Sequence, residues 1–111
     1  MVIREQRHGA VTVLYPEGPI VGEDATAFKL AAEEAAKKTL GRFVVDLTGT
    51  PFLDSEGLVA LLEISETLSQ SGHALRLCAA CETVRTILEL TGMTEHFNSF
   101  ADANSAVRSF L

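Results

Sequence analysis

Residues 42–62 run RFVVDLTGTPFLDSEGLVALL, and this stretch restricts the fold more than any other in the chain. Its apolar opening at 43–47 reads as a strand, and the repeat at Leu58, Leu61 and Leu62 reads as a helix. Between them lie only a short polar turn with Pro51, the pair Phe52-Leu53 and the quartet Asp54-Ser55-Glu56-Gly57. A buried strand that feeds a helix so directly belongs to an α/β layer, whose connecting loop holds polar groups on a rigid support. Ser55 is the first candidate for a functional centre.

Upstream, Val2 and Ile3, then Val11, Val13 and Tyr15, bracket a polar stretch and predict a hairpin turning near His8-Gly9. Pro16, Gly18 and Pro19 are expected to end regular structure. A helix over about 25–40 follows, with Asp24 as its cap, Glu23 and Asp24 at the positive end of its dipole and Gly41 as its stop. Its apolar stripe is Phe28, Ala31, Ala32, Ala35, Ala36 and Leu40. Strand 43–47 is apolar apart from Asp46, as suits a central strand covered on both faces.

The second helix is expected from Glu56 or Gly57 to Ser71, burying Leu58, Leu61, Leu62, Ser65 and Leu68, with Gly72 closing it. A strand at 74–77, a helix at 82–90 presenting Val84, Ile87, Leu88 and Leu90, a weak edge strand at 97–100 and a helix at 102–111 complete the chain. Helices alternating with strands imply parallel pairing through crossovers. The expected architecture is one α/β domain over 1–111, a small mixed sheet of four or five strands with three or four covering helices. Short loops leave no room for a deep cavity, so a surface patch is the expected site.

A chain of 111 residues with 47% hydrophobic content can bury a core as one domain. No apolar run approaches the ~20 residues that cross a bilayer. The first residues turn charged where a signal peptide turns apolar, so a cytoplasmic location is expected, with Cys78 and Cys81 reduced. A net charge of -6 disfavours nucleic acid and anionic membrane surfaces as partners. There is no phosphate-binding glycine loop, no dinucleotide fingerprint and no calcium-loop spacing, so neither cofactor nor metal is expected.

Ser55 lacks the surroundings of a nucleophile. No histidine adjoins it, the only histidines are His8, His73 and His96, and the Gly-x-Ser-x-Gly pattern is absent. Two roles remain open. Its hydroxyl or the Asp54 carboxylate caps the helix, or Ser55 accepts a phosphate of roughly -1.5 to -2 charge beside free helix amides. Cys78-Ala79-Ala80-Cys81 has the spacing of a redox pair between a strand and a helix. Two thiols alone fall short of a structural zinc site, and ordinary part-buried cysteines are the simpler reading. Asp46 either points to the strand's exposed end or is a buried, hydrogen-bonded acid.

Over 44–57, VVDLTGTPFLDSEG resembles the STAS family, and within it the bacterial anti-sigma factor antagonists. The matching residues are Asp46-Leu47, Phe52-Leu53 and Asp54-Ser55-Glu56-Gly57, with Gly18, Leu75 to Leu77 and Leu90-Thr91-Gly92-Met93 in order around them. The resemblance implies a noncatalytic partner switch. Unphosphorylated, such a protein binds an anti-sigma factor serine kinase and releases a sigma factor; phosphorylation reverses this, and a serine phosphatase restores binding. ATP belongs to the kinase. The resemblance places the phosphate on Ser55 and partner contacts at Glu23, Asp24, Asp54, Ser55, Glu56, Gly57 and Leu58. Glu56 departs from the family's usual Ser or Thr, and with it comes an alternative: a nonphosphorylated STAS scaffold in a lipid-transport or signalling complex. A monomer with transient heteromeric contacts is expected.

Overall fold

The computed structural model describes residues 1–111. Strands β1 (Val2–His8) and β2 (Val11–Glu17) form the opening hairpin, and α1 (Gly22–Thr39) leads to β3 (Phe43–Asp46). Next come α2 (Ser55–Ser69), β4 (Leu75–Cys78), α3 (Glu82–Leu90), a 3-10 turn at Thr94–His96, β5 (Phe97–Phe100) and α4 (Ala103–Arg108). The sheet follows chain order, β1-β2-β3-β4-β5. Only β1 and β2 pair antiparallel; the other three pairings are parallel, as the helical crossovers require.

Side-chain alternation along the strands divides the core. Leu14, Phe43, Val45, Leu75 and Leu77 face α1, α2 and α3, where they meet Phe28, Ala32, Leu61, Ile64 and Val84. Val11, Val13, Val44 and Cys78 face the other way, onto Ala106 of α4. All four residues of β3 are buried, because helices cover it on both sides. β1 is an outer edge whose residues are mostly exposed and polar, which discourages further pairing.

Several boundaries depart from the sequence reading. β2 runs through Pro16 to Glu17, since Pro16 pairs with Ile3 on the edge strand and lies beyond the stretch of β2 that pairs with β3. α1 begins at Gly22, ahead of the expected start, with Val21 as N-cap and no capping bond from that side chain. Leu40 leaves the helix in the left-handed region at φ 56° and is 77% exposed, so it is outside the buried stripe. Leu90 is likewise 82% exposed at the end of α3. α2 spans Ser55–Ser69, and Leu62 is only half-buried while Ala60 and Ile64 are buried. α4 stops at Arg108, and beyond it the Ser109 hydroxyl bonds the Ala106 carbonyl and Arg76 lies over the Phe110 ring.

Two loops meet at one end of the sheet. Gly18 N donates to Gly49 O at 2.9 Å, Ile20 N to Phe52 O at 3.2 Å and Asp54 N to Ile20 O at 3.4 Å. Ile20 and Leu53 form a parallel bridge, so the segment before α1 and the segment before α2 act as one support.

Candidate functional site

Asp54 caps two helices. One carboxylate oxygen accepts from Gly57 N of its own helix at 2.9 Å, and the other accepts from Gly22 N of α1 at 3.1 Å. These backbone donors, Gly57 first, hold its carboxyl below the usual carboxylate range against a smaller opposing effect of burial. The cap expected of Asp24 therefore comes from Asp54. Asp24 lies inside the first turn of α1 and pairs with the amino group of Met1 at 3.2 Å.

With Asp54 as the cap, Ser55 is the first helical residue of α2, exposed, and its hydroxyl bonds to no other group in the protein. Glu56 is exposed beside it and reaches toward α1: its Oε2 lies 3.9 Å from where a Cβ of Gly22 would stand. Glu23 is exposed in the first turn of α1. Ser55, Glu23, Asp24, Asp54 and Glu56 thus gather around two adjacent helix N-termini.

Gly57 does not join that surface. It is buried, and a Cβ there would stand 2.2 Å from the Ile20 carbonyl oxygen and 2.9 Å from Leu53 Cβ. The close approach it permits is to the chain's own backbone, which removes it from the expected contacts. Leu58 is half-buried against the main core.

Sequence reading missed the groove that extends from Ser55 between α1 and α2. This open depression of about 360 Å³ is lined by Thr26, Lys29, Ser55, Glu56, Val59 and Glu63, among others. Lys29 and Glu63 form an ion pair across it. Val59, one helical turn from Ser55, is 49% exposed, and Phe52 in the preceding loop is 46% exposed. The available signal was helical spacing: Ser55, Val59 and Glu63 recur every four residues on one face of α2.

Other candidates lie elsewhere. Asp46 is a buried, hydrogen-bonded acid, accepting from Thr48 N at 2.8 Å and Thr48 Oγ1 at 2.5 Å. Cys78 is buried at the end of β4, and Cys81 is exposed at the start of α3. Burial first, then the Asp46 carboxylate across the strand pair, pushes the Cys78 thiol up to about 12. A redox pair needs an accessible thiol of depressed pKa, so the burial of Cys78 beside Asp46 opposes that reading. His8 and His96 are exposed, while His73 packs its ring against Gly41.

The family model of the STAS domain matches residues 2–106. The chain belongs to the STAS domain family. STAS domains are noncatalytic regulatory and scaffolding modules. No protein with a curated description matches the sequence. Among solved structures, TM1081 from Thermotoga maritima superposes with a TM-score of 0.86 at 21% identity, covering 96% of this chain and 92% of its own. An anti-sigma factor antagonist from Mycobacterium paratuberculosis gives 0.83 at 24% identity, covering 97% and 92%. SpoIIAA, a Bacillus cell fate determinant, in its phosphorylated form gives 0.73 at 13% identity, covering 99% and 100%. At these identities the likeness is one of fold. No helix of this chain is long and apolar enough to cross a membrane.

Proposed function

We propose that this STAS domain is a cytoplasmic anti-sigma factor antagonist, switched by phosphorylation of Ser55. Unphosphorylated, it binds an anti-sigma factor serine kinase and frees a sigma factor; the phosphorylated form releases the kinase until a serine phosphatase acts. The observation that carries this reading is the free, exposed Ser55 hydroxyl at the head of α2, with Asp54 performing the capping in its place. A phosphate there leaves the cap and the core intact.

The phosphate adds roughly -1.5 to -2 charge beside Asp54, Glu56 and Glu23. A partner that docks on this acidic rim meets repulsion and a displaced contact, without refolding of the domain. Phe52 and Val59 supply apolar contacts beside the switch, where buried anchors contribute most to affinity. The match to phosphorylated SpoIIAA supports a fold that carries such a phosphate.

The experiment is incubation of the protein with its candidate kinase and ATP, followed by phosphopeptide mapping and a binding measurement on both forms. One phosphate at Ser55, lost in Ser55→Ala, with weakened binding after transfer, is the expected result. Kinase binding that ignores phosphate would overturn the switch.

Glu56 favours one second reading, a constitutive STAS scaffold in a lipid-transport or signalling complex. A fixed carboxylate stands beside the acceptor and already leans over the α1 N-terminus. Copurification with a transport complex, without phosphate turnover, distinguishes it.

A further inference from the structure

At the opposite end of the sheet from Ser55, three cations converge in a protein of net charge -6. A cleft of about 470 Å³ lies between the hairpin end and the last turns of α1, lined by Glu5, Arg7, Thr12, Lys38, Thr39 and Arg42 among others. The strands place the central three together. Arg7 pairs directly with Thr12 across β1 and β2, and Thr12 N donates to Arg42 O at 3.0 Å. Neither Arg7 nor Arg42 has an acidic partner, while Lys38 pairs with Glu34 at 3.4 Å.

Thr12 makes this more than a charged surface. It is only 6% exposed, yet its hydroxyl bonds to no group of the protein. No fully enclosed side-chain polar atom lacks a partner, so this hydroxyl keeps its opening onto the cleft. Lysines in the last turn of α1 complement the helix dipole without any ligand. That account does not extend to Arg7 on the hairpin or to Arg42 in the connector, and the Thr12 hydroxyl, with no protein partner, is left open to the cleft.

We propose that this cleft binds the phosphate group of a small soluble molecule, as a second site independent of Ser55. Guanidinium forks of Arg7 and Arg42 suit the paired oxygens of a phosphate, and the Thr12 hydroxyl donates a further bond at the base. Glu5 and the carbonyl end of α1 oppose the anion. That repulsion weighs more on a dianion than on a halide, so selectivity for phosphate rests on its several oxygens, which accept bonds from both guanidinium forks and the hydroxyl at once. A volume of this size accommodates a metabolite-sized ligand.

The test is an amide NMR titration of the whole protein with inorganic phosphate at constant ionic strength, balanced with chloride. Saturable shifts centred on Arg7, Thr12 and Arg42 are expected. Arg7→Gln and Arg42→Gln each weaken binding about tenfold, the loss of one charge-assisted contact. Thr12→Val weakens it about threefold while leaving the unliganded protein as stable as before, because the hydroxyl has no protein bond to lose. Glu5→Gln tightens binding, and Ser55→Ala leaves it unchanged. Linear shifts spread over all the cations, or unaltered affinity in both arginine variants, would overturn the site. So would sedimentation with anionic phospholipid vesicles in the absence of saturable binding to soluble phosphate.

Discussion

The carboxylate of Asp54 spans from Gly57 N at 2.9 Å to Gly22 N at 3.1 Å, tying the starts of α2 and α1 to one side chain. Removing it orphans an amide at each helix. Asp54→Ala is expected to lower the melting temperature more than Glu23→Ala or Glu56→Ala, whose carboxylates cap nothing. The pH dependence has a definite sign. The folded-state pKa of Asp54 is depressed, so its contribution is present in full above the ordinary carboxylate range and is lost as pH falls through the depressed value. Thermal denaturation from neutral to acid pH should therefore show a shallower acid decline in Asp54→Asn than in the native protein. Parallel declines would show that the two amides do not hold the charge.

Gly57 should tolerate no side chain. A methyl group there meets the Ile20 carbonyl at 2.2 Å and Leu53 Cβ at 2.9 Å, and the bridge between Ile20 and Leu53 prevents simple relief. Gly57→Ala is expected to cost about 3 kcal/mol, the upper end for overpacking. Gly72→Ala is the contrast: it meets nothing within 4 Å and carries only the strain of its left-handed φ of 78°, about 1 kcal/mol. Urea denaturation of the two variants checks the order, and equal losses would mean that the loops before α1 and α2 separate easily.

The two thiols should differ sharply. Cys81 is exposed, whereas Cys78 is 1% exposed with its thiol pushed up to about 12 by burial and then by Asp46. Iodoacetamide is expected to give one adduct, on Cys81, in the folded protein and two after denaturation. The thiolate population of Cys78 at neutral pH falls on the order of a thousandfold from its pKa alone, and burial withholds what remains from the reagent. Rapid double labelling of the native protein would contradict this arrangement.

The parts legible in the sequence are those whose signal is local. Apolar residues flanking a polar turn identified the hairpin, the continuous apolar run at 43–47 identified the buried strand, which ends at Asp46, and helical spacing located Glu82–Leu90. The start of α1 was not legible, because Val21 and Gly22 carry no capping side chain and the cap arrives from Asp54, 32 residues away. The resemblance placed Gly57 among the partner contacts, and its packing was not legible because its neighbour, the Ile20 carbonyl, sits in a different loop. Leu40 and Leu90 fit the apolar repeat yet emerge at helix ends, past the reach of the sheet. Phe52 and Val59 are ordinary apolar residues in sequence, and only the tertiary arrangement leaves them exposed beside Ser55.

In the proposed switch Glu56 is the fixed charge next to Ser55, and its effect is measurable without any kinase. The protein can be made with phosphoserine at position 55, and the second phosphate pKa read by phosphorus NMR. Glu56 lies exposed next to that position and close to the α1 N-terminus, so its carboxylate disfavours the dianion. Glu56→Ser is therefore expected to lower the phosphate pKa by about 0.3–0.5 unit, the scale of one exposed neighbouring charge. The same substitution should raise the rate of phosphoryl transfer to Ser55, since the acceptor then carries one fewer repelling charge. Ser55→Ala should leave stability within about 0.5 kcal/mol of native, because no bond of the fold depends on that hydroxyl. An unchanged phosphate pKa in Glu56→Ser would show that the carboxylate faces away and exerts no control over the site.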